Sequence, residues 1–314
     1  LNLVNSLPPD VEVDLLLLEK KGKLLNQLPA TVNLRIIDAN EGVNFLIQNN
    51  LLLYALFSLK KMDVLQMFRA IYFYVKSKFS DSSDFKFEAI SNKIKISQTK
   101  YDMAIAYAGP HEFISSFILK KIIAKRKIQW IHFDIEKVLR DYKFAKKFYP
   151  YFYKIFCVSP TVKNIFLKHF PQFENKTEIF YNIISAIEIK KSAEEGFSFL
   201  DDYNGIRILT VGRFTKEKGH HLIPAVVAKL KAECIDFRWY FVGDGEERGL
   251  VEQQCVDLNI EEHVFFLGEQ LNPYPYMDEC DIYVQPSLHE GYGITVAEAQ
   301  VFNKPIIVTN FASA

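Results

Sequence analysis

Cysteine is scarce and unpatterned in this chain. Four of 314 residues are Cys157, Cys234, Cys255 and Cys280, far apart and without a Cys-x-x-Cys pair. That excludes a disulfide-stapled secreted scaffold and a structural zinc site, and it fits a reducing, cytoplasmic compartment. Long apolar runs are also missing. The best candidates, Leu51 to Leu59 and Phe113 to Leu119, fall well short of the roughly 18 residues that a membrane span needs. The opening residues lack a basic region followed by an apolar stretch and a small-residue cleavage site, so they do not read as a secretion signal. No Asp-x-Asp pair of the kind that holds a metal-bound diphosphate occurs, and no metal or cofactor is expected.

What is present is the composition of a packed protein: 49% hydrophobic, 24% charged and 14% aromatic. At 314 residues the chain is long enough for two domains. Lys plus Arg number 38 and Asp plus Glu 38, but the balance is uneven. Residues 1–200 carry 29 basic and 20 acidic side chains, and residues 201–314 carry 9 and 18. The basic half holds the clusters Lys120, Lys121, Lys125, Arg126, Lys127 and Lys137, Arg140, Lys143, Lys146, Lys147. Such a half can face a phosphate-bearing partner or an anionic lipid surface, and it can equally be a solvated helix face. No nucleic-acid partner is expected.

Short apolar runs alternate with helical patterns along the whole chain. Strands are expected at Val11 to Leu18, Val32 to Ile37, Tyr101 to Tyr107, Ile128 to Phe133, Lys154 to Ser159 and Thr177 to Tyr181. Helices are expected at Leu51 to Ser80, Phe113 to Ala124 and Pro160 to His169. Residues 190–204 are charged and aperiodic, which sets a domain boundary at 189/190. A second alternating series begins at Ile206 and ends near Thr309. Alternation of this kind predicts parallel sheets covered on both faces, with ligands bound beyond the carboxyl ends of the strands.

Three loops could carry chemistry. In Val211-Gly212-Arg213-Phe214-Thr215-Lys216-Glu217-Lys218-Gly219, Gly212 lets backbone approach a ligand, and Arg213 and Lys218 bring two cations to a strand end, as a diphosphate requires. In Val242-Gly243-Asp244-Gly245-Glu246-Glu247-Arg248, Arg248 stands where a dinucleotide turn would carry its third glycine, and the carboxylates would repel a pyrophosphate. A tight turn with acidic residues capping a helix dipole is the better reading. In Pro286-Ser287-Leu288-His289-Glu290-Gly291-Tyr292-Gly293-Ile294-Thr295-Val296-Ala297-Glu298, Glu290 and Glu298 flank a glycine turn and a helix start. Backbone amides of Gly291 to Thr295 could hold phosphate oxygens while the carboxylates hold sugar or ribose hydroxyls. A carboxylate pair could also be glycosidase chemistry, which suits the phosphate-type turn less well.

From Ile206 to Thr309 these motifs, in this order, resemble the retaining glycosyltransferases of family 4. The resemblance includes Val264-Phe265-Phe266-Leu267-Gly268, Asn272-Pro-Tyr-Pro-Tyr276, Asp281-Ile-Tyr-Val and the Glu-x7-Glu pair. It implies an α/β, GT-B fold of two Rossmann-like domains (1–189 and 190–314) facing across a cleft. It implies transfer of a hexose from a nucleotide diphosphate sugar, a UDP-sugar ahead of a GDP-sugar, to a glycan or lipid-linked sugar acceptor. By the same resemblance Gly212, Arg213 and Lys218 serve the diphosphate and Glu298 the ribose. Glu290 faces the donor sugar, Gly291, Tyr292, Gly293, Ile294 and Thr295 contact sugar and phosphate, and Phe266 and Leu267 lie beside the base. Trp130-Ile131-His132 resembles the strand end where the family places a histidine near donor sugar and acceptor, so His132 joins Arg213, Lys218 and Glu290 as a catalytic candidate. The leaving diphosphate would be stabilised without metal, and a lipid-linked acceptor would bring peripheral contact with the inner membrane surface. A sugar-nucleotide epimerase of the same fold and a non-catalytic binding module are the alternatives. Leu1 to Leu7 reads as the end of the family's first helix, so the chain is expected to be cut before residue 1 and after Ala314, leaving the first sheet short of a central strand.

Overall fold

The computed structural model describes residues 2–37, 41–80, 84–94, 98–139 and 141–311; Leu1 and Arg140 of the basic cluster lie outside them. The chain divides into two compact units, Leu3–Tyr181 and Asn182–Ala314. The division falls before the expected 189/190 boundary because residues 186–194 are helical and belong to the second unit. Ser185 caps this helix through the Glu188 amide, Ile189 and Ala193 are buried, and Asn272 Nδ2 donates to the Ser192 carbonyl at 2.6 Å.

The first unit holds a parallel pair, β1 (Val13–Leu17) and β2 (Val32–Ile36), and a separate four-stranded sheet. That sheet runs β3 (Lys100–Gly109), β4 (Ile123–Ile131), β5 (Lys154–Cys157) and β6 (Thr177–Ile179), in this order and all parallel. Two expectations are corrected here. Leu51 to Ser80 is not one helix but two, Leu51–Lys60 and Val64–Ser80. Met62 is left-handed at φ 58°, and Asp63 Oδ1 starts the second helix by accepting from the Gln66 amide at 3.0 Å, the usual N-cap interaction. The helix expected over Phe113 to Ala124 ends at Lys121, and β4 already begins at Ile123. By contrast the helix Pro160–His169 starts where its Ser-Pro signal puts it: Ser159 Oγ accepts from the Val162 amide at 3.2 Å, with proline in the first helical position.

The second unit is one five-stranded parallel sheet. Its strands are β7 (Ile206–Val211), β8 (Phe237–Val242), β9 (Val264–Phe266), β10 (Ile282–Gln285) and β11 (Ile306–Val308), ordered β11-β10-β7-β8-β9. Period-two alternation sends Ile208, Trp239 and Phe241 to one face, where they pack with Ile223, Val227 and Val251. Leu209, Tyr240 and Val242 go to the other, with Tyr276, Met277 and Ala299. Burying each large apolar side chain contributes about 1.5–3 kcal/mol. The sheet is therefore held from both sides, as the continuous apolar strands require. The strand order reverses between β7 and β10, which opens a crevice at the carboxyl ends of those two strands. The α/β class with two Rossmann-like units of GT-B type is thus the class expected from the sequence.

Candidate donor-binding site

The loops after β7 and β10 meet at this reversal. After β7 the chain passes Gly212 and Arg213, makes a short 3-10 turn over Lys216–Lys218, and turns left-handed at Gly219, φ 70°. A side chain at Gly219 would collide with the Pro286 carbonyl, so the position requires glycine on both counts. The Glu217 carbonyl accepts from the Leu288 amide at 2.8 Å. Backbone thus knits the two loops together, and Lys218 and Glu290 come into contact: Lys218 Nζ lies 2.6 Å from Glu290 Oε1, with side-chain exposures of 18% and 10%.

A directional chain of buried hydrogen bonds supports Glu290. Tyr283 donates its hydroxyl to Gln285 Oε1 at 2.8 Å, and Thr295 Oγ1 donates to the same oxygen at 3.2 Å. Gln285 Nε2 donates to Ser287 Oγ at 2.9 Å, and Ser287 donates to Glu290 Oε1 at 2.7 Å. Each donor leaves the next group one acceptor to fill, so the amide orientation and the carboxylate position are fixed together. Sequence reasoning did not assign Gln285, Ser287 or Tyr283 to the site. Ser287 stood inside the quoted motif, but nothing in spacing alone shows that a serine three residues before a glutamate bonds it.

Glu298 lies in the helix Ile294–Gln300 and is buried. Its Oε1 accepts from the Tyr274 hydroxyl at 2.9 Å. Burial raises the Glu298 carboxyl above the usual range, and the Tyr274 hydrogen bond works against that rise. Tyr274 sits in the Asn272-to-Tyr276 motif, where nothing in the pattern marks it as a partner of Glu298. Gly293, at φ 77°, leads into the same helix. The first-turn amides of Ile294 and Thr295 have no acceptor within the helix by construction.

Arg213 is exposed and forms no ion pair among the described residues. Phe266 ends β9 and Leu267 follows it, each packed against a different core cluster. Phe266 stacks on Phe241 at 5.1 Å, and Leu267 packs against the core cluster that includes Tyr240 and Val242. Beneath Gly212 lies His220, 1% exposed and stacked on Phe214 at 4.4 Å. Both its ring nitrogens are buried without a hydrogen-bond partner among the described residues. Burial, then the positive charges of Lys218 and His221, lower its pKa to about 4.

The second loop, at 242–248, is a packing turn. Side chains at Gly243 and Gly245 would run into the carbonyls of Gly212 and Phe214, and φ is 137° and 157° at the two glycines. The acidic residues stand at the start of the following helix, as the dipole reading expected, with Glu247 at the N-cap position and without a side-chain capping hydrogen bond. Asp244 accepts from the Gly245 amide at 2.7 Å and faces Arg248, which also pairs with Glu252 at 2.7 Å.

His132 belongs to the first unit, directly after β4. Its ring stacks on Trp130 at 5.7 Å and meets Tyr107 edge-on at 4.6 Å. Its Nε2 is buried without a hydrogen-bond partner among the described residues. Burial lowers its pKa to about 4, against a smaller opposing effect of the Tyr107 backbone.

Residues 193–314 match the family model of glycosyl transferases group 1. That segment contains every element of the crevice, from β7 to β11. The chain is similar to an N-acetylgalactosamine-N,N'-diacetylbacillosaminyl-diphospho-undecaprenol 4-alpha-N-acetylgalactosaminyltransferase of Campylobacter jejuni, 31% identical over 147 residues, which is 47% of this chain and 38% of that protein. In fold it is similar to a glycosyltransferase from Rickettsia africae (TM-score 0.60, 18% identity, 96% of this chain and 72% of that one). It is also similar to Anabaena Alr3699/HepE, solved in complex with UDP (TM-score 0.55, 18% identity, 68% and 60%). The chain spans only 42% and 38% of the lengths of two curated relatives that it matches.

Proposed function

We propose that the protein is a retaining glycosyltransferase that moves a hexose from a nucleotide diphosphate sugar, a UDP-sugar by preference, to a hydroxyl of a glycan or lipid-linked sugar. The observation that carries this reading is the meeting of Lys218 and Glu290 at 2.6 Å, beside exposed Arg213, at the strand-order reversal of a parallel sheet. Such a crevice supplies cations for a diphosphate and carboxylates for hydroxyls in one place. Arg213 and Lys218 take the diphosphate, Glu298 the ribose and Glu290 the hexose. The donor's anomeric carbon–oxygen bond breaks, a new bond forms to the acceptor oxygen on the same face, and the acceptor's proton passes to the leaving diphosphate. The two cations offset the charge that develops there. His132 is the catalytic candidate of the first unit, on the resemblance of Trp130-Ile131-His132 to the strand end where such enzymes carry a histidine. Cytoplasmic assembly of a cell-surface polysaccharide (capsule, exopolysaccharide or O-antigen) on a lipid diphosphate carrier is the setting that fits such an acceptor.

A donor screen tests this reading. The protein is incubated with UDP- and GDP-hexoses, with and without a polyprenyl-diphosphate-linked sugar, and nucleoside diphosphate release and the anomeric configuration of the product are measured. Acceptor-dependent release with retained configuration supports it. An epimerised free sugar, or binding with no turnover under any acceptor, overturns it.

A further inference from the structure

Away from the donor crevice, the hairpin formed by the helices Leu51–Lys60 and Val64–Ser80 inverts the usual pattern of a surface helix. In the second helix Leu65, Phe68, Tyr72, Val75 and Phe79 are all exposed, Phe68 at 61% and Phe79 at 88%. Their spacing of three and four residues puts them in one stripe, at about 100° per residue. Ala70 is buried, and Met67, Phe73, Tyr74 and Ser77 are half-buried on the opposite side. The first helix repeats the design, with Leu52, Leu56 and Leu59 exposed and Tyr54, Ala55 and Ser58 buried. Soluble surfaces seldom carry a contiguous apolar patch of this kind without a partner.

Charge selects the partner. Residues 51–80 contain Lys60, Lys61, Arg69, Lys76 and Lys78 against the single carboxylate Asp63. At about 100° per residue, Arg69 and Lys76 flank the stripe on one side and Lys78 on the other. The Lys76 ammonium stands 5.0 Å from the Tyr72 ring centroid, at the stripe's edge. An apolar face bordered by cations and studded with aromatics suits the boundary between acyl chains and anionic headgroups. A second copy of the helix is a poor occupant, because self-pairing in either direction would set cation against cation with no carboxylate on the helix to answer them. At 17 residues, and with its other face packed, the helix would lie in the surface and not cross it; among the described residues no helix is long and apolar enough to span a membrane.

We propose that this hairpin is a membrane-docking surface that seats the apolar stripe in the interface of an anionic bilayer. The inference stands on the exposed faces of the first unit and does not depend on the donor-site reading, so the two fail separately. The test is flotation of the 314-residue chain with vesicles of pure phosphatidylcholine and with vesicles of phosphatidylcholine and phosphatidylglycerol. The protein should float with the anionic vesicles and much less with the neutral ones, and raised salt should release part of it. The double variant Phe68→Ser/Phe79→Ser, both positions exposed, should lose binding while keeping its circular dichroism and melting temperature. Arg69→Gln/Lys76→Gln/Lys78→Gln should lower the partition on anionic vesicles by more than about tenfold. Phe68→Trp should be quenched by lipids brominated near the headgroup, a readout independent of whether the serine variant folds. The proposal is overturned by no flotation, by equal flotation on both vesicle types, by an unquenched Phe68→Trp, or by a concentration-dependent dimer that the serine variant disperses.

Discussion

Lys218 Nζ and Glu290 Oε1 stand 2.6 Å apart, both largely withdrawn from solvent. The cation assigned to the diphosphate and the carboxylate assigned to the sugar therefore neutralise each other in the free protein. A donor entering the crevice has to share this pair instead of meeting two free charges. Removing one partner of a buried pair leaves the other uncompensated and costs about 3–5 kcal/mol in fully buried cases; partial exposure puts this pair below that range. Lys218→Ala therefore mixes a loss of stability with a loss of ligand contact, and a cleaner probe is needed.

Arg213 is that probe, since it is exposed and makes no ion pair among the described residues. Arg213→Ala should leave the melting temperature unchanged and weaken a nucleoside diphosphate more than the nucleoside. One lost charge-assisted hydrogen bond corresponds to about 1.5–3 kcal/mol, or roughly 10- to 150-fold. Calorimetric titration with both ligands checks it. Equal losses for the two would remove Arg213 from the diphosphate.

Turnover should survive EDTA. The motive is positive: two cations on the β7 loop are placed to offset charge on a leaving diphosphate without a metal's help. Activity that disappears with the chelator and returns only with a divalent ion would show the opposite dependence.

Glu298 and Glu290 should divide the donor. Glu298→Gln is expected to weaken free nucleotide and intact donor alike, whereas Glu290→Gln should leave nucleotide affinity nearly unchanged and lower transfer. Tyr274 adds a pH signature. Burial raises the Glu298 carboxyl and the Tyr274 hydroxyl counteracts it, so Tyr274→Phe should push that carboxyl higher still. Nucleotide affinity that depends on ionised Glu298 falls as pH drops through its pKa. In Tyr274→Phe this fall should move to higher pH, with little change well above it. An affinity profile identical to wild type would separate Tyr274 from the site.

Much of the second unit was legible because its strands are short apolar runs, three of them ending at a glycine (Gly212, Gly243, Gly268). β7 begins at Ile206, where the second alternating series was expected to start. The helix over residues 186–194 was not legible, because only Ile189 and Ala193 are buried and the exposed Ile187 among charged residues blurs the period. The hairpin break at Met62 was hidden because no glycine or proline marks it, and Lys60, Lys61 and Asp63 read equally as the solvent face of one continuous helix. In the site, residue types and order pointed to Arg213, Lys218, Glu290 and Glu298, but not to which of them touch. That contact arises from the close approach of Gly219 to the Pro286 carbonyl, a tertiary relationship between loops far apart in sequence.

His220 supplies a test of whether the crevice floor is purely structural. The ring is buried against Phe214, neither nitrogen has a hydrogen-bond partner among the described residues, and its pKa is lowered to about 4. Burying a polar group without a hydrogen bond costs about 1–3 kcal/mol, so replacing the ring by an apolar one of similar shape should stabilise the fold. The depressed pKa sets the sign with pH. Between the ordinary histidine value and about 4, the unfolded chain takes up a proton that folded His220 refuses. Its contribution is therefore fully present above the ordinary value and is lost as pH falls through that window; His132, also lowered to about 4, acts in the same direction. His220→Phe should raise the melting temperature near pH 5 more than near pH 7.5, flattening the acid limb without abolishing it, because His132 remains. His220→Leu, which is smaller, guards against overpacking next to Gly212. Nucleoside diphosphate affinity should be unchanged in both. If both variants instead lost diphosphate affinity at unchanged or higher stability, the imidazole would be a ligand-contacting group of the β7 loop and not a packed floor.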